Sequence, residues 1–144
     1  MTTRLHKRIH NVSHYQLALL DGASETGYPD DPYGAALAAF APTGVVVSCA
    51  WDENASVAPD VDVEVRYATE APTPASVGPL IAIAVGHMTI GTRGIEVGNW
   101  ITGDITRIAV PPGRHGVGVL MDTVEPYKAR TIQFVLWPLD NETL

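Results

Sequence analysis

The chain has 144 residues, 46% hydrophobic and 17% charged, with 16 acidic against 9 basic side chains and a net charge of −7. That length fits one domain, and a chain of this size buries about 68–70% of its unfolded surface, so it can build a core without metals or disulfides. The composition excludes a disordered chain, and the negative surface excludes direct binding to the phosphate backbone of DNA or RNA.

Residues 1–13, "MTTRLHKRIHNVS", read as a flexible N-terminal arm, and residues 14–144 as a single β-sandwich domain. The start is basic, but no apolar signal core follows it. No apolar run reaches the roughly 18 residues of a spanning helix, so the expected location is the cytoplasm, with no membrane partner. "HYQLALLD" sets Tyr15, Leu17 and Leu19 against Gln16 and Ala18, the alternation of a half-buried strand. One short helix is expected within "DDPYGAALAAFAP": Asp31 caps it, Pro32 suits its first position, the alanines favour it and Pro42 stops it.

From Gly44 onward the texture is β. "GVVVSCAW" and "VDVEVRYA" are rich in β-branched residues, and the second places Val61, Val63 and Val65 on one face and Asp60, Asp62, Glu64 and Arg66 on the other. "LIAIAVGHMTI" is a nearly continuous apolar run, the pattern of a central strand covered on both faces. "GIEV" and "WITGDITRIAV" follow, with Gly98-Asn99 and Gly103-Asp104 as turn signals, and "HGVGVLMD" and "TIQFVLWP" complete the set. About eight short strands at roughly ten-residue spacing predict an all-β fold, an antiparallel β-sandwich or partly open barrel with one short helix.

Candidate chemistry is sparse. Cys49, the only cysteine, sits among valines as a small buried hydrophobe rather than a reactive thiolate. No Gly-x-Ser-x-Gly elbow, phosphate loop or dinucleotide fingerprint occurs. A paired-carboxylate glycosidase would draw its acids from distant segments, and the sequence offers no sign of the large cleft it needs. "VPPGRHGVGV" resembles the late Pro-x-Gly-x-x-His segment of a cupin metal site, but counted from Pro111 it is one residue short between Gly113 and His115, and its only upstream companion is His87. Two histidines fall short of the three or more ligands of a catalytic metal. The simpler reading is a turn at Pro111-Pro112, a positive φ at Gly113, and a strand with Val117, Val119 and Met121 on one face. His6, His10 and His14 recur every four residues and would share a face, although a terminal arm seldom preorganises metal ligands. Trp51, Trp100 and Trp137 read as packing anchors.

The most specific polar feature is the ladder Asp60, Asp62, Glu64, which Asp52 and Glu53 join if the neighbouring strands pair. Successive residues on one strand face lie about 6.6–6.8 Å apart, so the three acids repel and must face water or a cationic surface. Either they protect a solvated edge strand or they form an interaction face. A straight strand lacks the turn-held carbonyls that calcium requires.

The C-terminal segment from "PPGRHGVGVLMD" to "EPYKARTIQFVLWP" combines a Pro-Gly opening, Glu125-x-Tyr127 and a strand ending in Trp137-Pro138. It resembles the tail of bacterial proteins similar to competence protein J, and "HYQLALLD" is a looser echo. The likeness covers roughly the last quarter of the chain, and His115 and Lys128-Ala129-Arg130 depart from its pattern. The resemblance implies a small β-sandwich and an inhibitor of a nuclease that acts in DNA uptake, some relatives lying near immunity proteins that neutralise toxins. It brings no catalytic residues.

The combined expectation is a non-enzymatic inhibitor or immunity-like protein without cofactor or metal, acting on a basic nuclease or toxin through Asp52, Glu53, Asp60, Asp62 and Glu64. A cupin-like enzyme or sensor using His87 and His115, and a structural subunit of a larger assembly, are the alternatives, and a homo-oligomer is compatible with each.

Overall fold

A computed structural model describes residues 2–13, 16–22, 37–50, 59–71, 79–125 and 127–139. They form ten strands: β1 (Thr2–Asn11), β2 (Gln16–Asp21), β3 (Ala38–Ala41), β4 (Gly44–Ser48), β5 (Asp60–Ala68), β6 (Ile81–Ile90), β7 (Ile95–Asn99), β8 (Asp104–Ile108), β9 (Gly113–Met121) and β10 (Thr131–Pro138). The strands make two five-stranded sheets, ordered β1-β5-β10-β9-β6 and β3-β4-β2-β7-β8. This is a sandwich and not a closed barrel. Every pairing is antiparallel except β5 with β10, which runs parallel in the middle of the first sheet. No helix among the described residues is long and apolar enough to cross a membrane.

The core lies between the sheets. Val61, Val63 and Val65 of β5, Val117, Val119 and Met121 of β9, and Ile132, Phe134 and Leu136 of β10 meet Leu17, Leu19, Val45, Val47, Ile95 and Val97 of the other sheet. Fully burying each such side chain contributes about 1.5–3 kcal/mol, and the period of two aims alternate residues inward. Cys49 is buried in this layer, and burial pushes its thiol up to about 12, so it stays protonated at neutral pH.

The described part of each of the eight expected strand segments contains a strand, and the other two strands fall where none was expected; His14, Tyr15 and Trp51 lie outside the described residues. Residues 2–11, expected as an arm, are β1, an edge strand laid antiparallel on β5 from Thr2↔Ala68 to Asn11↔Asp60 with an irregularity between Arg4 and His6. The expected helix is corrected where it is described: Ala38–Ala41 is β3, paired with β4 from Ala38↔Val47 to Ala41↔Gly44. Asp31 and Pro32 lie outside the described residues. Alanine's helix preference is worth a few tenths of a kcal/mol per residue, less than seating Phe40 against Val45 and Gly86 gains.

The expectation for β6 is also corrected. It is the edge of its sheet and is not covered on both faces: Val85 is 63% exposed and only Met88 and Ile90 are buried. Its apolar run depends on Ala82, Ala84 and Gly86, and Gly86 is small because the Phe40 ring lies where a Cβ would be, 2.4 Å away. The turn signal at Gly98-Asn99 falls inside β7, and the chain reverses at Gly103, whose φ is 75°.

Candidate partner-binding face

The outer face of the first sheet carries the acidic ladder, and β5 is an interior strand rather than an edge. With β1 alongside, cations reach the acids from more than fifty residues away. Arg4 Nε donates to Glu64 Oε2 at 2.8 Å and Lys7 Nζ donates to Asp62 at 3.0 Å, while the neutral Asn11, 49 residues away, donates through Nδ2 to Asp60 at 3.3 Å. Arg66 and, from β10, Gln133 donate to the other Glu64 oxygen. Burial alone would raise the Glu64 pKa; the hydrogen bonds from Gln133 and Arg66 and the charges of Arg66 and Arg4 outweigh it and hold the carboxyl below its usual range. The ladder is therefore charge-balanced, three carboxylates against Arg4, Lys7 and Arg66, and not a bare negative row. Asp52 and Glu53 lie outside the described residues.

The histidines are equally specific in their placement. His115 is buried, with Nδ1 2.9 Å from the Gly113 carbonyl and Nε2 3.1 Å from the Tyr67 hydroxyl. Gly113 has φ 131°, and Val117, Val119 and Met121 line the core side, as the turn reading expects. His87 pairs with Gly116 rather than His115, so it occupies the outer face of β6 while His115 points into the core. The two cannot share a metal, and the cupin alternative is not supported. Among the described residues no group of three or more His, Cys, Asp or Glu side chains could hold a metal ion.

His6 and His10 do share a face, with Nε2 atoms 2.9 Å apart; His14 lies outside the described residues. They belong to a cluster that sequence reading missed. Asp104, just after the Gly103 turn, accepts the Arg8 guanidinium at 2.6 Å and the Asn11 N–H at 2.7 Å, and its carbonyl lies 3.2 Å from His10 Nδ1. Arg8 also donates to Thr106 at 2.8 Å. This polar clasp joins β1 of one sheet to β8 of the other and closes one side of the sandwich. Burial, the Arg8 charge and, for His6, the His10 ring lower both imidazole pKa values, against the raising effect of Asp104. The only early signals were the His-x-x-x-His spacing and the Gly-Asp turn.

Trp137 packs on the outer face with Ala68, Leu120 and Val135, its ring lying across Gly116. Among the described residues, the exposed large apolar side chains fall on several elements: Ile9 on β1, Ile81 and Val85 on β6, Trp100 and Ile101 in the β7–β8 turn, and Val124 after β9. The assembly alternative would need them contiguous, and it is not supported.

Two solved structures carry this arrangement over nearly their whole length. One is ComJ from Bacillus subtilis, described as the inhibitor of the DNA degrading activity of NucA; it is 11% identical, with TM-score 0.62, over 96% of this chain and 99% of that one. The other is described as crocagin biosynthetic gene J; it is 13% identical, with TM-score 0.64, over 97% and 99% of the two chains. They share this fold. No protein-family model and no curated protein matches the sequence. The ComJ likeness extends from the C-terminal segment, where the sequence resemblance lay, to both sheets.

Proposed function

We propose that this protein is a non-enzymatic inhibitor that binds a basic protein partner such as a nuclease. The observation that carries this reading is the whole-chain structural likeness to ComJ, an inhibitor of a DNA-degrading protein. The contact surface is the β1–β5–β10 face, with Asp60, Asp62 and Glu64 in a row along β5. Their present partners do not block this. Lys7 and Asp62 are 44% and 36% exposed, and exposed pairs contribute about 0–1 kcal/mol, so a partner's cation can replace Lys7 at small cost. The net charge of −7 steers a basic cleft toward the protein.

Titrating the protein into a DNA-degradation assay, with NucA and with purified basic nucleases of the same host, tests the reading. Inhibition saturating at one-to-one stoichiometry supports it, and full activity of every nuclease at excess protein overturns it. Surface plasmon resonance then tests the face: Asp60→Asn combined with Asp62→Asn slows association about tenfold or more at low salt. An unchanged association rate removes the face while leaving the inhibitor reading standing.

A further inference from the structure

The β6 edge bears no charged residue over its ten positions, whereas β1 carries Arg4, Lys7 and Arg8, and β8 carries Asp104 and Arg107. Charges on an edge strand discourage further pairing, and β6 lacks that protection. The direction of its backbone groups follows from two bonds. The Thr89 N–H leaves the ladder to donate to the Pro42 carbonyl at 3.0 Å, and the Arg114 carbonyl turns toward β10 to accept from Leu139 N–H at 2.9 Å. Backbone groups alternate along an antiparallel strand, so with Thr89 pointing away from β9, Val85 and His87 point away as well. Their N–H and C=O groups have no hydrogen-bond partner among the described residues.

Beside this open segment lies a groove of about 350 Å³ lined by Phe40, Ala41, Pro42, His87, Met88, Thr89 and Arg114. Its described lining is one guanidinium, one imidazole, one hydroxyl and apolar surface, with no carboxylate. Arg114 forms none of the ion pairs that occupy Arg4, Lys7, Arg8, Arg66 and Arg107. In a chain of net charge −7, a cation left unpaired beside two open backbone positions is complementary to an acid on an incoming strand.

We propose that β6 accepts an extended segment of a partner protein as an added strand. Val85 and His87 pair with its backbone, and Arg114 holds an aspartate or glutamate side chain of that segment. Backbone bonds supply the affinity in such strand addition and side-chain pockets supply the choice of sequence. A guanidinium can grip a carboxylate bidentately. The site lies on the opposite edge of the sheet from β1 and is independent of the acidic face.

The probe is an acetylated, amidated seven-residue peptide of alternating threonine and valine with glutamate at its centre, compared with its glutamine counterpart. Titration of the full chain by amide NMR is expected to shift and protect the Val85 and His87 amides, with the glutamine peptide at least tenfold weaker. Arg114→Gln should remove that difference between the peptides. Val85→Pro should abolish binding, because it deletes an outward N–H while leaving the β9 ladder intact. His87→Glu provides a second variant that places a repelling charge in the same segment. Three results overturn the proposal: equal affinity for both peptides, shifts confined to other strands, or no binding at about 1 mM peptide. Protection of Val85 and His87 that rises with protein concentration alone would also overturn it, since a second copy of the chain would then be the occupant.

Discussion

Gly116→Ala should destabilise the protein far more than the same change two residues along the strand. Gly116 lies directly opposite Trp137 in the β9–β10 ladder, and a Cβ there would sit 2.1 Å from Cε2 and 2.3 Å from Cζ2 of the indole. No side-chain adjustment of tenths of an ångström removes such overlap, so the ring must leave its seat. Trp137 is only 7% exposed and anchors Ala68, Leu120 and Val135. Truncating a buried aromatic to alanine costs about 3–5 kcal/mol, and a displaced ring keeps part of its contact, so the expected cost is roughly 2–4 kcal/mol. For a domain of this size that lowers Tm by roughly 4–16 °C. At Gly118 the nearest ring atom would be 3.5 Å away, ordinary contact, and Gly118→Ala should fall within about 0.5 kcal/mol of the parent. Thermal melts followed by circular dichroism, with tryptophan emission reporting the ring, provide the assay. A double-mutant cycle completes it: in a Trp137→Ala background the cost of Gly116→Ala should nearly vanish. Equal Tm values for the two alanine variants, or a Gly116→Ala cost that persists without the indole, would refute the reasoning.

The His6–His10 pair makes stability depend on pH below neutrality. Both folded-state pKa values lie below 6.5, so the unfolded chain binds protons first, and stability present above pH 6.5 is lost as pH falls through that value toward the folded pKa values. Tm measured at pH 7.5 and 5.5 should drop on acidification, and His6→Gln should reduce the drop; an undiminished drop would place its origin elsewhere. The Ser48 hydroxyl is buried in β4 with no hydrogen-bond partner among the described residues. Such an unmet group costs about 1–3 kcal/mol, so Ser48→Ala should raise stability by roughly 1 kcal/mol in denaturant unfolding.

The alternation of β5 and the inward faces of β9 and β10 were legible in the sequence because each depends only on residues two apart. Adjacency was not legible. Val85 and Val46 look alike in sequence, yet one is exposed on an edge and the other is buried in an interior strand, because long-range pairing decides which strand has neighbours on both sides. The same limit hid β1: "TRLHKRIHN" lacks an apolar stripe, since its inward positions hold Arg8 and His10, which meet Asp104 instead of a hydrophobic layer. It also made Asp60, Asp62 and Glu64 look bare, because Arg4 and Lys7 lie more than fifty residues earlier. That correction alters how the proposed face would act. A partner's cation that takes Asp62 releases Lys7, so the number of ion pairs hardly changes on contact, and buried contact area must supply most of the affinity. Charge then acts chiefly before contact, through the net −7 of the whole chain. Added salt should therefore slow association while leaving dissociation nearly constant.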